Sequence, residues 1–370
     1  MSLEILAAIS RFYGGNPDYV IAGGGNTSFK DTATLWIKAS GAPLGEITEP
    51  GFVAMDRAKL AGLWELDLPE NSKDREDRVL AELMAARKPG EENKRPSVET
   101  LLHDLLPFAY VVHTHPSLVN GLTCSRNGEQ VVRELFGGAL WIPVSDPGFV
   151  LASAIKEKLD ERRRRGGKRP AEKTPDLIFL QNHGIFVGAH SPDRIKTLYG
   201  EIMDTLNGAV KRRPDFGGPV SEYGGSVSAA LSLQKLSGGF AVFARNNEIA
   251  VLTASRAAFA PVSSAFTPDH IVYAGSDPLF IEEGKDIEAA WKSHTDRTGR
   301  PPKLVALEGI GIFGIGGTEK NALLALELFT DTMKVAAYAE SFGGPQFMPE
   351  EKIAFINNWE AEQYRAKLVT

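Results

Sequence analysis

Short apolar runs separated by glycine-rich and polar stretches divide the chain into candidate strands and helices. Runs rich in Val, Ile and Phe are typical of strands, whereas apolar residues three and four positions apart are typical of helices. The runs predict strands at 19–22, 34–38, 52–55, 110–112, 139–142, 177–183 and 184–188. The helical spacing predicts helices at 1–12, 57–64, 71–87, 97–106, 117–122, 128–136, 149–164 and 191–210. Strands and helices therefore alternate along the first 210 residues.

The later part of the chain repeats a section of this pattern. Residues 177–186 match 304–313 position by position, and Asp204-Thr205 matches Asp331-Thr332. A length of 370 residues exceeds that of most single cores, and the Arg-, Pro- and Gly-rich stretch 211–225 is typical of a linker. We therefore predict two domains, 1–213 and 214–370, the second a degenerate copy of a similar unit. Chance similarity over so few positions is the alternative.

Charge and cysteine content narrow the class of protein. A net charge of −6 argues against nucleic acid or an anionic membrane as the main partner. The single cysteine, Cys124, excludes an intramolecular disulfide and fits a reducing compartment; we interpret it as a buried spectator rather than a nucleophile. The N-terminal stretch lacks the pattern of a signal peptide, and no stretch has the length of a membrane span. These features predict a cytoplasmic protein.

Three histidines lie at the ends of two predicted strands. His113 and His115 follow the apolar stretch 110–112, and on a strand two residues separated by one position leave the same face. His183 ends the later strand, and Ile310 stands at its position in the repeat, so the second copy is expected to lack the metal ligands. Three histidine nitrogens with one open position form a common catalytic zinc site, although an isolated histidine in an apolar run is more often structural. The remaining histidines are interpreted as structural: His103, His190, His270 and His294.

Two glycine-containing stretches are candidates for binding an anion. The first is 23–28, with Asn26 and Thr27, and the second ends in Ser40 and Gly41. Glycines allow backbone N–H groups to converge on a phosphate, and Asn and Ser side chains add donors. A simple turn between strands is the alternative. Neither the dinucleotide-binding nor the Walker spacing is present.

The helix that leads into the His113 strand begins with Ser97 and Glu99. Ser97 is predicted to cap this helix, and Glu99 then lies in its first turn. Most first-turn glutamates only stabilise the helix dipole. Its place directly before the histidine strand makes Glu99 a candidate for a role at the metal.

Taken in order, these pieces resemble the class II aldolase/adducin family, and within it the aldolase portion of the bifunctional rhamnulose-1-phosphate aldolase/alcohol dehydrogenase type. The matching motifs are Gly24-Gly25-Asn26-Thr27-Ser28, Ser40-Gly41, Pro96-Ser97-Val98-Glu99, His113-Thr114-His115-Pro116 and Asn182-His183-Gly184. The resemblance covers residues 1–210 with its catalytic motifs and extends into the later half.

The resemblance implies a fold and a site. The fold is α/β, a three-layer α/β/α arrangement around a mixed, mainly antiparallel sheet. Zn²⁺, or another divalent ion such as Mn²⁺, Co²⁺ or Fe²⁺, is expected on His113, His115 and His183, with Glu99 as general acid/base. The substrate phosphate is expected at Asn26, Thr27, Ser40, Gly41 and Ser97.

The implied activity is metal-dependent aldol cleavage of a sugar phosphate, a ketose 1-phosphate, to dihydroxyacetone phosphate and an aldehyde. The alternatives are an epimerase or dehydratase that uses the same site, or a non-catalytic adducin-like binding protein. A homo-oligomer, dimer or tetramer, is also implied. The chain departs from many family members by having Val98 where a second phosphate-binding serine stands, and Gly23 in place of threonine.

Overall fold

The computed structural model describes residues 3–165 and 174–360. Its strands are β1 Asn26–Lys30, β2 Thr34–Lys38, β3 Phe52–Asp56, β4 Tyr110–Thr114, β5 Leu140–Ile142, β6 Leu177–Leu180, β7 Gly184–Ala189, β8 Phe240–Ala244, β9 Leu279–Ile281, β10 Leu304–Leu307 and β11 Gly311–Gly316. Its α-helices are α1 Leu3–Gly14, α2 Arg57–Gly62, α3 Ser72–Ala85, α4 Thr100–Leu105, α5 Ser117–Thr123, α6 Gly128–Leu135, α7 Phe149–Arg165, α8 Pro192–Ala209, α9 Ser226–Ser237, α10 Asn247–Leu252, α11 Arg256–Phe259, α12 Ile287–Thr298, α13 Glu319–Ala339 and α14 Glu350–Asn358.

The first seven strands form one sheet in the order β3-β2-β1-β4-β7-β6-β5. Only the β5–β6 pair is parallel, and the other pairs are antiparallel. Alternate residues of β4 enter different cores: Val111 packs with α2, α3, α4 and α7, whereas Val112 packs with α1, α5, α6 and α8. The expected α/β/α layers around a mainly antiparallel sheet are confirmed.

The last four strands form a second sheet in the order β8-β11-β10-β9. This order, with one parallel pair at the end, is that of β4-β7-β6-β5. The register also agrees, since Ile178 lies opposite Phe186 and Val305 opposite Phe313. The sequence repeat is confirmed, but the second sheet contains no described counterparts of β1–β3. The boundary between 213 and 214 stays a prediction, and we use it to define the first and second halves.

The two halves share apolar cores. Tyr338 and Phe342 of the second half pack in the core that contains α1, α5 and α8, and Cys124 of the first half packs with α10 and α13. Helix α13 lies along α5, the helix that directly follows the His113–His115 segment. The second half is therefore packed directly against the part of the chain that carries two of the histidines.

The predicted strand at 19–22 is wrong, because the first strand is Asn26–Lys30. The chain turns at Ala22 and Gly25, which have φ values of 52° and 65°, and then enters the sheet between β2 and β4. The sequence of β1 is polar, so it lacks the apolar run by which strands are recognised.

The start of helix α4 also differs from the prediction. Its N-cap residue is Glu99 rather than Ser97, and the helix begins at Thr100. Ser97 instead accepts a hydrogen bond on its Oγ from the Glu99 N–H at 3.2 Å. Glu99 therefore stands at the head of the helix, beside the sheet.

Among the residues described, no helix combines the length and the apolar character that crossing a bilayer requires.

Candidate metal centre and adjoining pocket

The three predicted histidines meet at one end of the first sheet. His113 lies in β4, His115 follows two residues later, and His183 lies in the turn between β6 and β7. Because β7 pairs with β4, this turn lies beside the end of β4. The candidate ligand atoms of the three residues lie within 4.8 Å of one another, and the Nε2 atoms of His113 and His115 are 2.9 Å apart.

Two of the rings are oriented by acceptors on their Nδ1 side. His113 Nδ1 is 2.9 Å from the carbonyl oxygen of Ile185, and the ring stacks on Phe186 at a centroid distance of 4.0 Å. His115 Nδ1 is 2.5 Å from Asp269 Oδ2. Carbonyl and carboxylate oxygens accept, so each Nδ1 carries a proton, and in the neutral ring the lone pair is then on Nε2. This is the tautomer a metal ligand needs.

His183 is held in a neutral form. Burial, and after it the neighbouring His115, lower the pKa of His183 to about 3. The adjoining turn requires a left-handed residue, Asn182, with φ of 57°. At Gly184 a Cβ atom would lie 2.5 Å from the Thr114 carbonyl oxygen and 2.8 Å from His115 Cδ2. Glycine at 184 therefore permits the close approach of the two histidine segments.

Glu99 lies against the histidine cluster. Its Oε2 is 3.7 Å from His113 Nε2, and its Oε1 is 3.8 Å from His183 Nε2. Oε2 accepts a hydrogen bond from Asn26 Nδ2 at 2.5 Å, whereas the buried Oε1 has no hydrogen-bond partner among the residues that the structure describes. A buried carboxylate oxygen without a partner needs an explanation. Three imidazole nitrogens and this oxygen fit a divalent cation such as Zn²⁺ in donor type and number.

A buried hydrogen-bond chain behind Glu99 was missed by the sequence analysis, which interpreted His103 as structural. His103 Nε2 hydrogen-bonds Asn26 Oδ1, and its Nδ1 is 2.7 Å from Ser28 Oγ. Burial lowers the pKa of His103 well below its usual value, so the ring is neutral. The chain fixes the Asn26 amide with its NH₂ group toward Glu99. The spacing of residues 99 and 103 could have indicated that His103 lies near Glu99, because residues four positions apart share a helix face.

A pocket adjoins the cluster and contains most of the predicted phosphate-binding residues. Those present are Asn26, Ser40, Gly41 and Ser97, next to Glu99, His115 and His183. Lys38, which the sequence analysis did not select, also lines the pocket and is buried. A lysine in its protonated form complements an anion, and the position of Lys38 directly before Ala39-Ser40-Gly41 was the feature of the sequence that could have identified it.

Thr27 is the predicted phosphate-binding residue whose side chain the structure directs elsewhere. It is fully buried, and its Oγ1 is 2.6 Å from Ser10 Oγ of α1. Because neighbouring side chains of a strand point to opposite faces, Asn26 and Thr27 separate once β1 forms. The Thr27 hydroxyl is accordingly left out of the phosphate site proposed below.

The second half lacks these ligands at the corresponding positions. Phe243 occupies the position of His113, because it lies opposite Phe313 in the second sheet as His113 lies opposite Phe186 in the first. Ile310 occupies the turn position of His183. Arg245, the counterpart of His115, donates hydrogen bonds to the carbonyl oxygens of Gly309 and Ile310 at 2.9 and 2.5 Å. A larger cavity of about 740 Å³ lies in the second half, beside Lys303 and Asn321, away from the three histidines.

Comparison with protein families gives one match over more than half of the chain. Residues 4–206 match the family described as Class II Aldolase and Adducin N-terminal domain. The chain is also 22% identical over 417 residues to the protein named Uncharacterized oxidoreductase YuxG of Bacillus subtilis (strain 168). That match covers 99% of this chain and 58% of the relative, so the chain spans less than two thirds of the relative's length.

Solved structures match the first half. The N-terminal class II aldolase domain of a conserved protein from Thermoplasma acidophilum has 26% identity and a TM-score of 0.47, covering 56% of this chain and 93% of that one. L-fuculose-1-phosphate aldolase from Thermus thermophilus has 16% identity and a TM-score of 0.34, covering 56% of this chain and 92% of that one.

Proposed function

Because the chain belongs to the class II aldolase and adducin family through residues 4–206, we propose that it is a divalent-metal-dependent aldolase. The proposed substrate is a ketose 1-phosphate similar to rhamnulose 1-phosphate, and the products are dihydroxyacetone phosphate and an aldehyde. The observation that carries the proposal is the convergence of His113, His115 and His183 beside the unpaired Oε1 of Glu99.

The three histidines are the residues that would hold the metal through their Nε2 atoms. The proposed ion is Zn²⁺, or else Mn²⁺, Co²⁺ or Fe²⁺, and imidazole nitrogen suits Zn²⁺ and Fe²⁺ in particular. When bound, such an ion acts as a Lewis acid that draws electron density from the carbonyl and hydroxyl oxygens of the substrate. The protein's part is to orient the imidazoles, as the Nδ1 contacts of His113 and His115 do.

Glu99 is proposed to move the proton of the reaction through Oε1. Cleavage requires loss of a proton from the C4 hydroxyl, after which the C3–C4 bond breaks and its electron pair remains with the three-carbon fragment. A proton must then be delivered to C3. The hydrogen bond from Asn26 holds Oε2, which leaves Oε1 to carry the proton between these positions.

The pocket beside the histidines is proposed to bind the substrate phosphate. Ser40 and Ser97 supply hydroxyl donors, and Gly41 has a φ of 88° that opens the backbone toward an anion. Lys38 lines the same pocket, and its protonated form would add a positive charge there. This combination of donors and charge favours a phosphate over an uncharged group.

The same groups would also serve a 4-epimerase or a dehydratase of a ketose phosphate, since both need a Lewis acid and a proton carrier near a bound phosphate. A non-catalytic binding protein is the less favoured alternative, because it has no use for three clustered imidazoles around a buried carboxylate. We also propose that the chain acts as a homo-oligomer, a dimer or tetramer, which light scattering of the purified protein tests.

The proposal is tested by assaying the full chain, loaded in turn with each of the four metals, on ketose 1-phosphates. Release of dihydroxyacetone phosphate is followed by a coupled NADH assay, and chromatography detects epimerised or dehydrated sugar. We expect Glu99→Gln to keep the metal but lose roughly 10²-fold or more in turnover. His183→Ala should lose the metal itself.

Three results would contradict parts of this proposal. Near-normal turnover in Glu99→Gln would remove Glu99 from the mechanism. Sugar isomers or dehydrated sugar without dihydroxyacetone phosphate would replace the aldolase by the alternative enzymes. A wild-type chain that takes up no metal, even after addition, would favour the binding protein.

A further inference from the structure

The metal centre of the first half is contacted by a carboxylate from the second half, Asp269. We propose that Asp269 is a positioning residue for His115, so that the second half is part of the metal site rather than an inert copy. This inference rests on the metal centre proposed above. It adds a residue that lies outside the motifs of residues 4–206.

The contact between Asp269 and His115 is short and shielded from water. Asp269 Oδ2 lies 2.5 Å from His115 Nδ1, and the two side chains are 6% and 7% exposed. A carboxylate on the far nitrogen of a metal-binding imidazole fixes the ring's orientation and its tautomer. Here it fixes the Nε2 lone pair on the side where His113 and His183 lie.

Two glycines make space for this arrangement. A Cβ atom at Gly24 would lie 2.6 Å from Asp269 Oδ2 and 3.1 Å from His115 Nδ1. On the other side, a Cβ at Gly184 would lie 2.8 Å from His115 Cδ2. Part of the glycine-rich stretch 23–25 therefore accommodates the carboxylate–imidazole pair, a role separate from the binding of phosphate.

Neighbouring residues anchor Asp269 to the segment that carries His115. The next residue, His270, has its Nε2 2.8 Å from Asp331 Oδ2, and Asp331 Oδ1 accepts a hydrogen bond from Ser117. Asp269 and Asp331 thus contact the two ends of the turn His115-Pro116-Ser117, and His270 links the Asp269 segment to Asp331. The second half fixes this turn at two adjacent points.

The His183 segment is held by the second half in the same way. Asn182 Nδ2 donates to the carbonyl oxygens of Phe266 and Gln346 at 3.0 and 2.9 Å. His113, by contrast, is oriented by the Ile185 carbonyl of the first half. Two of the three histidines consequently depend for their placement on contacts with the second half.

The test is the affinity of the purified full chain for Zn²⁺ alone, measured by competition with a chromophoric chelator. Asp269→Ala is expected to weaken binding by about 10- to 100-fold, the usual cost of losing such a partner. Asp269→Asn should lose less of its Zn²⁺ affinity, because the amide oxygen of the new side chain can still accept a hydrogen bond from His115 Nδ1. Gly24→Ala should also weaken binding, since its methyl group takes the space of Asp269 Oδ2.

Glu340→Gln is the matched control, because Glu340 also pairs across the two halves but with Arg212. It should bind Zn²⁺ as the wild type does. Long-range ¹H–¹⁵N spectra should show His115 protonated on Nδ1 in the wild type and a mixture of tautomers in Asp269→Ala.

Wild-type affinity in Asp269→Ala, or an equal loss in Glu340→Gln, would overturn the assignment. If Asp269→Ala does not fold, Gly24→Ala takes its place, and wild-type affinity in Gly24→Ala would then overturn the assignment. A wild-type chain without Zn²⁺ binding would overturn the metal centre itself, and this is measured separately from the effect of Asp269.

Discussion

Replacement of the buried Lys30 by methionine is expected to stabilise the protein near neutral pH, by an amount that decreases as the pH rises. Lys30 lies in β1 with 6% exposure, and its ammonium donates a hydrogen bond to the carbonyl oxygen of His103. Burial lowers the pKa of Lys30 from 10.5 to about 7. The folded protein therefore holds this proton less tightly than the unfolded chain does.

The size of the effect follows from the two pKa values. A pKa of about 7 in the folded state against 10.5 in the unfolded chain corresponds to roughly 5 kcal/mol of destabilisation at low pH. Between pH 7 and 10.5 the unfolded chain binds more protons, so wild-type stability rises with pH. The free energy of unfolding of the wild type therefore rises by about 2 kcal/mol from pH 7 to 9. Loss of the hydrogen bond to His103 costs the variant about 1 kcal/mol at every pH.

The assay is urea unfolding of the metal-free wild type, Lys30→Met and Lys292→Met at pH 7, 8 and 9. Lys292 is a suitable control because its side chain is 79% exposed. We expect the free energy of unfolding of Lys30→Met to exceed that of the wild type by about 3 kcal/mol at pH 7 and by about 1 kcal/mol at pH 9. If the difference in free energy of unfolding between Lys30→Met and the wild type does not change with pH, the lowered pKa of Lys30 is refuted, whatever the size of that difference.

Two further predictions concern residues outside the proposed site. Burial raises the pKa of the fully buried Cys124 thiol. A thiol reagent at pH 8 should therefore label no cysteine in the native protein and one cysteine per chain in urea. Rapid labelling of the native protein would contradict this. Ile310→Ala should lower the free energy of unfolding by about 1–3 kcal/mol and leave metal content and turnover unchanged, as elemental analysis and the aldolase assay can check. Loss of metal in folded Ile310→Ala would mean that this turn of the second half supports the site.

The ligand cluster was predictable because its geometry is mostly local. Two positions along a strand return a side chain to the same face, which brings His113 and His115 to the same side of the sheet. His183 follows a strand whose hairpin partner pairs with β4, so it meets the other two. The repeat was predictable for a similar reason, since the positions that match are those that form equivalent β-ladders.

The strand β1 shows where pattern reasoning failed. Its residues Asn26, Thr27 and Ser28 are polar but buried, and each has a hydrogen-bond partner supplied by another element: Glu99, Ser10 and His103 respectively. A hydrophobicity pattern cannot identify a strand that is buried through hydrogen bonds. Because the strand was misplaced, the opposite directions of Asn26 and Thr27 were also missed.

By itself the sequence determined the layered fold, the three imidazoles, the glutamate that precedes them and the loss of ligands in the second half. Only the tertiary structure decided which polar groups complete the site. Asp269 is separated from His115 by 154 positions, and Lys38 reaches the pocket only because β2 lies beside β1. Periodicity acts within an element, whereas the partner of a buried charge depends on which distant segments pack together.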